Sequence, residues 1–221
     1  MPLEGRAEIS TAAAPQGPRL TYWDGGSDNS LMSALSPPAT QCVEACLAGE
    51  YRIVEPRHRI MGHLSLLVTT KSAYRHHISR AFVEAIESRK ALSADLHDRI
   101  YTATQEAVKN AVLHGNLRIE AGLRDNLERF VEFHESIERK LARPETAGGM
   151  VRVDALWNSK MLYVVIRDSG DGYDRAAVPA LNETLADSPT GSGRGLSILE
   201  AICDRVVLLH GGRAIKLGFR I

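Results

Sequence analysis

The segment 93–116 constrains the fold most, because its pattern predicts one long amphipathic helix with Ser93 as the N-cap. Apolar residues spaced by three or four form the stripe that is expected to face the core: Leu96, Ile100, Ala103, Ala107 and Ala111. Glu106, Asn110 and His114 are each four residues apart, so they share a second face, which is polar. The helix is therefore expected to present a carboxylate, an amide and an imidazole beside one another.

Two glycine-rich stretches follow later in the chain, each next to an apolar element. The apolar run 164–166 leads into an Asp-x-Gly-x-Gly motif at 168–172, which predicts a strand followed by a tight turn. The glycine-rich loop 191–195 leads into an apolar helix, whose free backbone amides can contact phosphate oxygens. A polar helix face alone is most often solvated, and a glycine pair alone is most often a plain turn. The three elements in this order form a much more specific pattern.

At these residues the sequence resembles the GHKL superfamily of ATP-binding domains, which gyrase, Hsp90, histidine kinases and MutL share. Glu106-x-x-x-Asn110 is similar to its N-box, the 168–172 motif to its first glycine box, and 193–196 to its second. The run Glu-Ala-Val-x-Asn-Ala-Val-x-His most resembles the anti-sigma-factor serine kinases of the RsbW and SpoIIAB type. The resemblance covers about residues 60–221, with boundaries good to a few residues.

The resemblance implies an α+β fold, a two-layer α/β sandwich of the Bergerat type with a mixed, mostly antiparallel sheet. It implies that Glu106 is the general base of phosphoryl transfer and that Asn110 offers Mg²⁺ a hard oxygen ligand. Asp168 is expected to accept a hydrogen bond from the adenine amino group. The residues implied in binding ATP are Asn110, Asp168, Gly170, Gly172, Gly191, Gly193, Arg194, Gly195 and Leu196.

The function implied by the resemblance is that of a regulatory protein serine/threonine kinase that acts by partner switching. Such a protein binds ATP and Mg²⁺, binds a sigma factor, and phosphorylates an antagonist protein, the anti-anti-sigma factor, on a hydroxyl. A nucleotide-binding interaction module with little turnover stays open, because Gly211-Gly212-Arg213 stands where the family often has Gly-Thr near adenine. The ATP domain of a split histidine-kinase phosphorelay is a third interpretation, disfavoured because the sequence has no obvious acceptor-histidine helix pair.

Composition bounds the other classes of function. The 221 residues include 27 Lys+Arg and 27 Asp+Glu, so a formal net charge of zero gives no overall basic field for nucleic acid. No apolar run approaches the ~18 residues of a membrane helix, and the N-terminus lacks the pattern of a signal peptide. Three cysteines argue against a disulfide scaffold and favour a reducing compartment. We therefore expect a cytoplasmic protein without direct nucleic-acid or membrane contacts, and a homodimer stays open.

The chain divides by composition into two parts. Residues 1–58 are expected to form an N-terminal extension that is partly disordered and carries a short helix at 40–48. Residues 59–221 are expected to form the histidine-kinase-like ATP-binding domain. Within it, the predicted elements are a long helix at 72–88, a helical insertion at about 117–150, and hairpins at 151–166 and 206–221.

Overall fold

One seven-stranded sheet organises the protein, for which a computed structural model describes residues 19–49, 61–119, 127–172 and 194–221. The strands are β1 (Leu20–Trp23), β2 (Gln41–Glu44), β3 (Gly62–Thr69), β4 (Met150–Trp157), β5 (Met161–Asp168), β6 (Arg205–Leu209) and β7 (Ala214–Arg220). Their order across the sheet is β1-β2-β3-β4-β5-β7-β6. β1, β2 and β3 run parallel and the other neighbouring pairs are antiparallel, so the sheet is mixed and mostly antiparallel.

Helices form the second layer on one face of this sheet. Among the described residues they are α1 (Asp28–Leu35), α2 (Thr70–Arg75), α3 (Ile78–Glu87), α4 (Ala94–Asn110), α5 (Leu127–Leu141), α6 (Pro144–Ala147) and α7 (Arg194–Ile202). Alternate residues of β4 and β5 are fully buried and join the helices in one apolar core, as the period of two in a strand requires. The predicted α+β two-layer sandwich is therefore confirmed.

α4 is the central helix, and its apolar stripe is buried as the sequence predicted. Ser93 caps it, since the Ser93 hydroxyl accepts a hydrogen bond from the backbone N–H of Leu96 at 3.3 Å. The predicted α-helix to residue 116 differs at its end, because Ala111–Asn116 is wound as a π-helix. Segments of this kind are rare and are frequent at functional sites. Here the wider turn carries Gly115 and Asn116 to the end of β5.

Two predicted helices are different in the structure. Residues 41–44 of the predicted helix 40–48 form β2, so that prediction is wrong, and only Ala45–Leu47 makes a single 3-10 turn. The predicted helix 72–88 is broken at His76 and His77, which separate α2 from α3. Both imidazoles hydrogen-bond the Asp28 carboxylate, at 2.9 and 2.6 Å. Adjacent residues of a continuous helix point in directions about 100° apart and could not share one acceptor in this way.

The division of the chain at residue 58 stays a prediction, since it falls outside the described residues. Within them, β1 and β2 continue the same sheet as β3, so residues 20–44 belong to the folded unit. The predicted insertion contributes α5 and α6, and an Arg75–Glu138 ion pair ties α5 to α2. No helix within the described ranges is both long enough and apolar enough to cross a bilayer.

Candidate functional site

The polar face of α4 carries the first part of the site. Glu106 and Asn110 lie one helical turn apart and both are half-buried. The Glu106 side chain is 18% exposed, and its carboxylate accepts a hydrogen bond from Lys109 Nζ at 3.2 Å. The carboxylate is thus held at the surface of α4, within reach of solvent.

Gly195 brings the start of α7 directly against this polar face. A Cβ placed on Gly195 would lie 2.5 Å from Glu106 Oε1 and 3.1 Å from Asn110 Nδ2, closer than ordinary van der Waals contact. Because glycine has no Cβ, the backbone of the second residue of α7 approaches these two side chains closely, and a larger residue would require them to shift. The first turn of a helix is a common position for anion binding, and this contact places the start of α7 beside a carboxylate and an amide.

Asp168 forms the second part of the site, at the end of β5. Its Oδ1 accepts a hydrogen bond from the backbone N–H of Gly170 at 2.9 Å. A Cβ on Gly115 would lie 2.5 Å from the Asp168 carboxyl carbon, so the carboxylate packs directly on the π-helical end of α4. A Cβ on Gly170 would lie 2.3 Å from the Gly115 carbonyl oxygen. Both glycines are therefore required for the backbone of the 168–172 turn to touch the helix end.

Burial of the Asp168 carboxyl raises its pKa above the ordinary value of 3.8, because desolvation penalises the charged form. The Gly170 N–H and the Arg213 guanidinium act in the opposite direction and favour the ionised carboxylate. A half-buried acceptor of this kind suits a ligand N–H donor, since the donor replaces solvent that the carboxylate has lost.

Gly172 and the turn between β6 and β7 lie next to this second part of the site. Gly172 has a φ of +86°, and a Cβ on it would lie 2.3 Å from the Gly211 carbonyl oxygen. The Asp168 backbone N–H donates to the Arg213 carbonyl at 3.1 Å. The position where the resembled family often has Gly-Thr therefore lies beside Asp168, and here it supplies a backbone acceptor and a cation.

The structure brings together most of the residues that the sequence singled out. Glu106, Asn110 and Gly195 meet in the first part of the site, and Asp168 meets Gly115 in the second, while Gly170 and Gly172 shape the turn. Leu196 is half-buried in α7. Gly191 and Gly193 lie outside the described residues, as does the side chain of Arg194, whose backbone begins α7.

Asn110 is the residue of the site that could contribute an oxygen to a magnesium ion whose other ligands come from a nucleotide and water. Within the described ranges no group of three or more His, Cys, Asp or Glu side chains could hold a metal ion. Asn110 offers an amide oxygen, which is the kind of hard ligand that Mg²⁺ accepts alongside phosphate oxygens and water.

His114 is placed differently from Glu106 and Asn110, the other two residues of the polar face, since its Nδ1 donates to the Ile119 carbonyl at 3.1 Å.

Three residues of the site were not assigned a role from the sequence. Lys109 is the ion-pair partner of Glu106, and the spacing of three on one helix is a signal that could have found it. Gly115 and Asn116 are the last two residues of the predicted helix 93–116, and in the structure both also contact the end of β5. Nothing in their local pattern indicates contacts with residues more than fifty positions away.

Replacing Gly195 by Ala is expected to push the Glu106 carboxylate out of place while leaving the fold intact. Ala has the higher helix propensity by roughly 1 kcal/mol, so the melting temperature should not fall. A misplacement of about 1 Å can cost roughly 10²-fold in rate, so any reaction that uses the Glu106 carboxylate should slow accordingly. Gly49→Ala is the matched control, since a Cβ there meets nothing within 4 Å. An unchanged rate in Gly195→Ala would show that the Glu106 position does not matter.

Comparison with known proteins adds no family to these observations. A scan against protein-family models gave no match, and a search of curated proteins found none that is similar.

Proposed function

We propose that this chain binds Mg²⁺-ATP where α4, the start of α7 and the end of β5 meet, and that it is a protein serine/threonine kinase. The acceptor of the phosphoryl group is an antagonist protein, and the regulated partner is a sigma factor, as in the anti-sigma-factor kinases that the sequence resembles. The activity is placed in the cytoplasm and requires neither nucleic acid nor a membrane.

One observation carries the proposal: the close approach of Gly195 to Glu106 and Asn110. Three motifs that are distant in the sequence meet along one helix, with the carboxylate of Asp168 at the far end. Residues 110 and 115 are five positions apart, so the two parts of the site lie within about two helical turns of each other. The proposed nucleotide has its base at Asp168 and its phosphates at Asn110 and the first turn of α7.

Each of the two parts of the site suits one part of ATP. The Asp168 carboxylate accepts a hydrogen bond from the adenine amino group. Backbone amides at the start of α7 donate to phosphate oxygens, and Asn110 supplies one oxygen to the Mg²⁺ ion. Bound Mg²⁺ neutralises phosphate charge, which is the main requirement of phosphoryl transfer besides positioning.

Glu106 is placed to act as the general base. As the acceptor hydroxyl oxygen bonds to the γ-phosphorus, the bond to the bridging oxygen breaks, and ADP leaves with that oxygen. Glu106 takes the hydroxyl proton in this step. Its carboxylate lies beside Asn110, so the base and the metal ligand are one helical turn apart.

The Glu106–Lys109 ion pair supports a second candidate, a nucleotide-binding module with little turnover. The Glu106 carboxylate already accepts a hydrogen bond from Lys109 Nζ at 3.2 Å, so one of its two oxygens is engaged within the helix. In this case bound ATP would only stabilise the surface to which the partner protein binds. Transfer of labelled phosphate to a co-purifying protein distinguishes the two, since the module would transfer none.

Isothermal calorimetry tests the proposed site through Asn110. ATP is expected to bind in the presence of Mg²⁺, and Asn110→Ala should weaken that binding by at least about tenfold, because the metal loses a protein ligand. EDTA should weaken the wild type in the same way and have little further effect on the variant. The control is Gln105→Ala, an exposed position on the same helix.

Two outcomes would count against this assignment in different ways. ATP binding that ignores both EDTA and Asn110→Ala would remove the metal-ligand role of Asn110. Absence of ATP binding at millimolar concentration would overturn the proposed function itself.

A further inference from the structure

Asn116 makes a full set of hydrogen bonds beside Asp168, the residue proposed to bind adenine. Its Nδ2 donates to Thr70 Oγ1 at 2.8 Å and to the Met150 carbonyl at 3.0 Å. Its Oδ1 accepts from the backbone N–H of Ser169 at 2.9 Å and from the Ser169 hydroxyl at 3.2 Å. A side-chain amide has two donor hydrogens and two acceptor lone pairs, so its capacity is used in full.

The partners of Asn116 belong to three different elements. Thr70 begins α2 and is fully buried, Met150 begins β4, and Ser169 follows the last residue of β5. The bonds around Asn116 also continue outward: Met150 N–H donates to Ser169 Oγ at 2.8 Å, and Thr70 Oγ1 donates to the Gly149 carbonyl at 2.8 Å. One amide therefore fixes the end of α4 to the starts of two elements and to the turn that contains Asp168.

Two consecutive residues of the helix end hold two consecutive residues of this turn. Gly115 packs against the Asp168 carboxylate, and Asn116 bonds the Ser169 backbone. The next amide, that of Gly170, donates to Asp168 Oδ1 at 2.9 Å. The direction of the Asp168 carboxylate therefore depends on where Asn116 holds Ser169.

We infer that Asn116 is a positioning residue that sets the selectivity of the site for adenine over guanine, an inference that rests on the proposed function. Adenine presents an amino donor where guanine presents a carbonyl acceptor. A carboxylate fixed in one direction accepts a hydrogen bond from the adenine amino group and repels the guanine carbonyl. A mobile carboxylate can turn toward other donors of guanine. Asn116 acts through Asp168 and does not itself contact the base.

The test is the ratio of GTP to ATP dissociation constants, measured by calorimetry with Mg²⁺. Asn116→Ala should lower this ratio by about tenfold, as expected for the loss of hydrogen bonds that orient a charged acceptor. Thr70→Val, of similar volume, removes the hydroxyl that accepts from Asn116 and donates to the Gly149 carbonyl, and it should lower the ratio by about threefold. It serves as the second variant if Asn116→Ala does not fold.

Asn158→Ala is the matched control for a purely structural effect. Asn158 Oδ1 also accepts from two backbone amides, those of Lys160 and Met161, at 2.8 and 2.9 Å, in the turn between β4 and β5. This variant should lose stability and keep the wild-type ratio. Asn116 and Thr70 variants that keep the wild-type ratio, or an Asn158→Ala ratio that falls equally, would overturn the inference and leave the proposed function standing. A wild type that does not bind ATP would overturn both.

Discussion

Replacing Glu106 by Gln is expected to lower phosphoryl transfer to the antagonist protein by about 10²–10⁴-fold, the usual contribution of a general base. The variant keeps the shape of the side chain and loses its basicity. Because the proton moves only as the new bond forms, the dissociation constant for ATP should stay near that of the wild type. Transfer is followed with labelled ATP, and phosphosite mass spectrometry identifies the modified hydroxyl.

Lys109→Gln is the control that separates basicity from the ion pair. It removes the partner of Glu106 and leaves the carboxylate in place, so it should retain most of the transfer rate. A Lys109→Gln rate as low as that of Glu106→Gln would assign the loss to the ion pair. A Glu106→Gln rate equal to that of the wild type would show that Glu106 is not the base.

Replacing Asp168 by Asn is expected to weaken ATP and ADP alike, by about 1.5–3 kcal/mol or roughly 10- to 150-fold in Kd. The carboxylate accepts from the adenine amino group, whereas an amide can turn a donor toward it. The wild type should bind GTP less tightly than ATP for the same reason. Equal ATP and GTP affinities in the wild type would contradict the contact.

The same variant should not destabilise the protein without nucleotide. Burial raises the pKa of the Asp168 carboxyl in the folded state, so the folded protein holds the proton more tightly than the unfolded chain. The resulting penalty grows as the pH rises from 3.8 through the raised pKa. Asn removes it, and the melting temperature at pH 7 should equal or exceed that of the wild type. A marked fall would assign Asp168 a structural role.

Local patterns in the sequence predicted the parts of the site that lie on single elements. The spacing of Glu106 and Asn110 and the cap at Ser93 depend only on helix geometry, and the structure agrees with both. The strand before Asp168 was likewise evident from its apolar run. Each of these features is determined within a few residues, where helix and strand periods leave little choice.

Features that depend on distant contacts could not be predicted in the same way. Residues 41–44 form β2 because they pair with β1 and β3, and the local pattern 40–48 fits a helix equally well. The break at His76 and His77 depends on Asp28, which lies more than forty residues away. The requirement for glycine at position 115 likewise comes from the Asp168 carboxylate that packs against it, more than fifty positions later in the chain.

The most direct test of the account is a crystal structure of the chain with Mg²⁺ and a non-hydrolysable ATP analogue. The predicted complex has the adenine amino group within hydrogen-bond distance of the Asp168 carboxylate. Its phosphates lie beside the first turn of α7, and the metal contacts Asn110 with Glu106 next to the γ-phosphoryl group. A nucleotide bound elsewhere, or a crystal in which this site holds no nucleotide at saturating concentration, would contradict the account.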